Sequence, residues 1–259
     1  MNTLTFSPRR VGLLMRHDVA SQKKSLLTGF LVIAGVTLGV FLITAASGGP
    51  REVLTNMFSN ILLIGGFITA SMAFSELQEQ KTGVHYMMLP GSTLEKFTSK
   101  LLLTSIGWTV AVVIVFALGT VLGEAISSIF FATSPGIVLP TTRDMWITIA
   151  TYLVSHSIFL FGSIYFRKAA FIKTAGSVIA AAFSLALIWV LVVRFAYAPA
   201  LGTGTAAGGA GINITGVQLT LQGETFLGTL GTVGDILYWA AMPIFFWILG
   251  ILRLRETEV

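Results

Sequence analysis

The chain has 259 residues, 54% of them hydrophobic and only 10% charged. A soluble domain usually carries about 25% charged residues, so a soluble globular domain is excluded and an all-α polytopic membrane protein is expected. There is no cysteine, which excludes disulfides, thiolate metal sites and cysteine nucleophiles.

Residues 1–25 carry Arg9, Arg10, Arg16, Lys23 and Lys24. Ser7 and Pro8 signal a helix start, Ser7 as cap and Pro8 in the first turn. Val11, Leu14, Met15 and Val19 follow at i, i+3, i+4 and i+8. This predicts a basic amphipathic helix lying at the cytoplasmic interface; a topogenic charge cluster is the plainer alternative. The apolar run starts late and is longer than a leader core, so a cleaved signal peptide is not expected.

Residues 26–122 hold spans one to three. Span one is predicted over Leu26–Thr44, where Gly35 and Gly39 form a GxxxG spacing that admits a close helix neighbour. Ser47-Gly48-Gly49-Pro50 marks a turn. Span two runs from Phe58 to Ala73 and leads into a polar hairpin over residues 76–98. Span three runs from Thr93 to Leu122, roughly 45 Å of helix. That exceeds the bilayer, so its first turns stand in the cytoplasm or the helix tilts.

Residues 123–143 are predicted as an outer connection, with apolar Ile126–Ala132 dipping into the interface. Residues 144–252 hold spans four to six. Span four covers Met145–Phe166 and contains His156 between Ser155 and Ser157. A lone intramembrane histidine is a functional-site candidate. No second histidine or carboxylate accompanies it, which favours a hydrogen-bonded structural role. Span five covers Thr174–Phe195, with an Ala/Ser face at Ala180–Ala186 suited to close packing. Residues 197–232 are expected as an extracytoplasmic glycine-rich loop, with a small hairpin at Ile212–Leu221. Span six covers Val233–Leu252, and Pro243 predicts a kink.

With the N-terminus inside, Arg9, Arg10, Arg16, Lys23, Lys24, Lys81, Lys96, Lys100, Arg167, Lys168, Lys173, Arg253 and Arg255 all fall on the inner side. Arg51, Arg143 and Arg194 remain outside. This bias predicts six spans with both termini cytoplasmic. It also accounts for the net charge of +5 by topology and contact with anionic lipid, so no nucleic-acid partner is expected.

The hairpin has its own punctuation. Glu76, Gln78, Glu79, Gln80 and Lys81 extend span two, and Gly83 can end that helix. Pro90-Gly91 is a turn, and Ser92-Thr93-Leu94-Glu95 spells a capping box that starts span three. Between them lie Val84, His85, Tyr86, Met87, Met88 and Leu89. Apolar residues at a water-side tip need a cover: the membrane surface, another helix of the chain, or a second protein.

No GxxxxGK[ST], HExxH or GxSxG motif occurs, so the chain has no recognisable phosphate loop, zinc-protease helix or nucleophile elbow. Carboxylates are nearly absent from the span interiors, which gives proton-coupled transport little support.

The order of these features resembles an ABC-2-type permease, the membrane subunit of a class of ABC exporters. Carrying the resemblance are Leu89-Pro90-Gly91-Ser92 followed by Glu95, Phe97 and Lys100, and upstream Phe74, Glu76, Lys81, Gly83 and Tyr86-Met87. Leu14-Met15-Arg16-His17-Asp18 and Gln22-Lys23-Lys24-Ser25-Leu26-Leu27 resemble the segment leading into span one of that family. The outer connection before span six departs from many members, being longer and glycine-rich. The resemblance implies a separate ATPase subunit that carries ATP and Mg, with no cofactor on this chain. It implies a second permease copy, identical or not, and the plasma or inner membrane of a prokaryote.

The ATPase-coupling residues it implies are Glu76, Glu79, Lys81, His85, Tyr86, Met87, Met88, Leu89, Pro90, Ser92, Glu95 and Lys96. Tyr86, Met87, Met88 and Leu89 would fill a groove, and the charged residues would orient the contact at its rim. A non-transporting scaffold or sensor that recruits a cytoplasmic partner is the alternative. An intramembrane enzyme would need a buried polar cluster built on His156, Asn60 and Ser or Thr residues.

Overall fold

The computed structural model describes residues 6–78, 91–131, 136–138, 143–166, 168–201, 234 and 236–257. Among these residues there is no strand. Six helices are long and apolar enough to cross a membrane. They are α1 (Pro8–Ser47), α2 (Glu52–Met72), α3 (Thr93–Phe130), α4 (Arg143–Tyr165), α5 (Ala170–Leu201) and α6 (Leu237–Glu256).

The expected interfacial helix is not a separate element. Pro8 to Ser47 form one helix of 40 residues, roughly 60 Å long. Its first turns bury Val11 and Asp18 and half-bury Leu14 and Met15, whereas Val19 is exposed. The inward face is therefore i, i+3, i+4, i+7, and it packs on the first turns of α3. The helix ends where expected. Gly48 adopts φ 63 as a left-handed cap, and the Gly49 amide donates to the Thr44 carbonyl at 2.9 Å. Only a residue without a Cβ adopts that conformation at no steric cost.

Further boundaries move. α2 begins at Glu52 and not at Phe58. α3 continues to Phe130, so residues 123–130 are helix and not connection. α5 continues to Leu201, which takes residues 197–201 out of the expected loop. The proposed Ile212–Leu221 hairpin lies outside the described residues.

α1 packs along α3, α2 and α6 pack on α4, and α5 meets α4 and α2 near its start. Toward the end that holds the α1–α2 turn, Phe41, Leu54, Phe58, Val112, Phe116, Met145 and Tyr152 form one apolar core. Phe58 and Phe116 meet edge-to-face with centroids 5.2 Å apart. At the opposite end Phe74 and Phe97 stack at 6.3 Å in a second core with Leu160, Ile164 and Leu254.

The close approach of α1 to a neighbour does not use Gly35 or Gly39. A Cβ on either would meet nothing within 4 Å. The working pair is Gly119 and Gly123 of α3. A Cβ there would stand 2.8 Å from Thr37 Cγ2 and 2.5 Å from Phe41 Cδ1. The expected packing of Ala180–Ala186 is not made within the chain either. From Gly176 to Val192 every residue of α5 is exposed, on all sides of the helix.

Among the described residues three spans contain a π-turn: Ile61–Gly65 in α2, Leu103–Gly107 in α3 and Leu237–Ala241 at the start of α6. The last explains how Pro243 is accommodated. The Met242 amide already reaches back five residues to the Leu237 carbonyl. The ladder is thus shifted just before a ring that has no amide to give.

Candidate functional site

The candidate site is the base of the hairpin, where α2 ends and α3 begins. The capping box expected there is present. The Glu95 amide donates to Ser92 Oγ at 3.3 Å, and the Ser92 amide donates to Glu95 Oε2 at 2.9 Å. The other carboxylate oxygen, Oε1, accepts the Ser7 amide at 2.7 Å and Arg10 Nε at 3.0 Å. Arg10 Nη2 lies 2.9 Å from the same oxygen.

Glu95 lies in the first turn of a helix of 38 residues, ahead of its apolar stretch. Burial alone would raise its carboxyl. The amides of Ser92 and Ser7 and the Arg10 guanidinium outweigh that and hold it below its ordinary value of 4.5.

One turn further on, Lys100 is 3% exposed, and its Nζ lies 3.1 Å from Asp18 Oδ1 and 3.3 Å from Glu76 Oε2. Asp18 is 5% exposed and Glu76 29%. One lysine therefore joins α1, the end of the span-two segment and α3. The buried Phe74–Phe97 stack belongs to the apolar core at this same end. Buried charges of this kind hold together only when paired and hydrogen-bonded.

Of the residues expected to couple to a partner, Glu76, Ser92, Glu95 and Lys96 are described. Glu95 is fully buried and Lys96 is 3% exposed. Glu95 faces α1, so in the chain as it stands it braces the hairpin's base from inside and does not sit on an outer rim. Glu79, Lys81, His85, Tyr86, Met87, Met88, Leu89 and Pro90 lie outside the described residues.

The sequence reading missed Arg10 and Asp18 as partners of this hairpin. A signal was there: Asp18 is the one acidic residue of an otherwise basic segment, and it falls at i+7 from Val11 on the apolar face.

A second polar cluster lies within the spanning part. The Thr104 hydroxyl donates to the Lys100 carbonyl at 2.7 Å and lies 2.8 Å from His156 Nε2. Tyr152 donates its hydroxyl to the Thr104 carbonyl at 2.5 Å, and the Thr69 side chain reaches the same tyrosine. His156 is fully buried, hydrogen-bonded as favoured above. Asn60 is exposed and takes no part.

With the Thr104 proton directed at Lys100, His156 Nε2 carries the ring proton. Nδ1 then has no partner among the described residues. A general base would need an orienting group at that nitrogen. Among the described residues no three His, Asp or Glu side chains gather into a metal site. No family model matches this chain, and no curated protein and no solved structure matches it either.

Proposed function

We propose that this chain is the membrane-spanning permease subunit of an ATP-driven exporter of the ABC-2 type, with both termini on the cytoplasmic side. It receives force from a separate ATPase subunit through the loop between its second and third spans. The observation that carries the reading is the braced base of that loop. Lys100 on one arm pairs with both Glu76 on the other arm and Asp18 of α1, while the Glu95 box fixes where the second arm starts. Two helices so tied transmit a displacement of the tip into the spans instead of absorbing it.

The apolar tip, Tyr86 to Leu89, has the composition of an anchor that fills a partner's groove. The bare length of α5 between Gly176 and Val192 supports a second membrane chain beside this one. Its Ser and Ala residues would pack closely there.

The test is a purification of the tagged chain in mild detergent with identification of what accompanies it. A stoichiometric soluble ABC-type ATPase is expected, lost on Tyr86→Ala or Leu89→Asp while membrane insertion persists. A chain that purifies alone, or with an unrelated regulator, sinks the reading, and the scaffold or sensor role takes its place.

A further inference from the structure

Two of the π-turns among the described residues lie on neighbouring spans, staggered by about a turn: Leu103–Gly107 packs against Gly66–Met72, and Ile61–Gly65 packs against the segment that starts at Trp108. In α2, the Leu62 carbonyl accepts the Gly66 amide and also Trp108 Nε1 of α3, at 3.1 Å. The indole lies against Gly65, where a Cβ would stand 2.5 Å from Trp108 Cζ2, and Tyr152 lies against Gly66. The Gly65-Gly66 pair is what admits both rings.

In α3, the Trp108 amide goes to the Leu103 and Ser105 carbonyls. It bypasses Thr104, whose carbonyl an α-helix would have supplied with that donor. The Tyr152 hydroxyl donates there instead. The irregular backbone of one span is thus fastened by a side chain of another.

Zones of tight packing flank this level on both sides. On the inner side Asp18, Lys100 and Glu76 are ion-paired, and Arg10 holds Glu95. On the outer side Thr37 and Phe41 press on Gly119 and Gly123. Between them the helical ladder is shifted in two adjacent spans, which is where a helix changes direction at least cost.

We propose that the π-turns Ile61–Gly65 and Leu103–Gly107 form a joint within the spanning part of the chain. The inner ends of α2 and α3, with the hairpin between them, swing about it while the outer halves stay packed. Tyr152 and His156 of α4 latch it. α1 passes the joint unbroken and stacks Phe30 on Trp108 at 6.2 Å, so it resists the swing elastically. The joint depends on no particular partner, and it would serve a permease or a sensor alike.

The absence of native cysteine makes the test direct. Spin labels are placed in lipid nanodiscs at exposed positions. Leu94→Cys with Tyr165→Cys reports the inner ends, and Ile129→Cys with Trp146→Cys reports the outer ends. Tyr152→Phe keeps the ring and removes the donor. The inner distance distribution should broaden or gain a second population, with the outer one unchanged. Thr104→Val, which removes the His156 bond, should do the same.

In the unsubstituted chain, amides of residues 61–66 and 103–108 should exchange about tenfold faster than the flanking turns. Inner and outer pairs that move alike in both variants, or not at all, overturn the proposal. So does uniform exchange along the two spans. None of these readings involves the ATPase, so they separate this proposal from the functional one.

Discussion

Glu95 of α3 and Arg10 of α1 meet through a carboxylate that is fully buried, with Arg10 Nη2 2.9 Å from Glu95 Oε1. The contact joins the first helix to the start of the third. It also uses the same side chain that closes the capping box, so one residue sets both where α3 begins and what it leans on.

Glu95→Ala removes the acceptor of two backbone amides and of Arg10. It should cost about 2 kcal/mol or more of stability, read as a lowered midpoint of thermal unfolding in detergent. Glu95→Gln should cost less, because an amide oxygen still accepts.

The pH dependence has a definite sign. The folded carboxyl of Glu95 lies below its ordinary value, so the stabilisation is complete above the unfolded value. It is lost as pH falls through the folded one. Unfolding midpoints measured across the acidic range, wild type against Glu95→Gln, should converge at low pH and separate as pH rises. In Arg10→Ala the loss should begin at higher pH. Curves that stay parallel throughout would leave Glu95 without this role.

Lys100→Met leaves Asp18, 5% exposed, as a buried carboxylate with only the exposed His17 ring, 3.9 Å away, beside it. The expected loss is about 3 kcal/mol. Asp18→Asn with Lys100→Met removes both charges and should recover most of it. Glu76, more exposed, should matter less, because water screens it. Losses that simply add in the double variant would show that the two side chains do not act as a pair.

The two glycine pairs should behave oppositely. Gly123→Ala forces a methyl against Phe41 and should cost about 1–3 kcal/mol; Gly119→Ala, against Thr37, should behave similarly. Gly35→Ala and Gly39→Ala meet open space and should stay within about 0.5 kcal/mol. Equal effects from both pairs would mean that α1 turns a different face to α3.

Much of the architecture was legible because the bilayer imposes strong local rules. Runs of apolar residues had to be helices, since lipid offers no partner for an open backbone. The Ser47–Pro50 turn and the Ser92–Glu95 box are likewise local, each decided by residues a few positions apart.

What the tertiary structure decided is which residues face which. GxxxG at Gly35 and at Gly119 is the same word, and only the placement of α1 against α3 shows which is used. Helix ends were misjudged where apolar residues and helix both continue past the length that a bilayer needs, as at Phe130 and Leu201.

The π-turns left no trace in the periodicity. They depend on Trp108 and Tyr152 arriving from other spans to meet Gly65-Gly66 and the Thr104 carbonyl. His156 could be found by type, but its partner, Thr104, is a common residue of an ordinary span. Composition and local chemistry decided that the chain is helical and that six of its helices are long and apolar enough to cross a membrane. The long-range meeting of Arg10 with Glu95, Asp18 with Lys100 and Tyr152 with Thr104 required the packed helices, because each pair is distant in sequence and close only after folding.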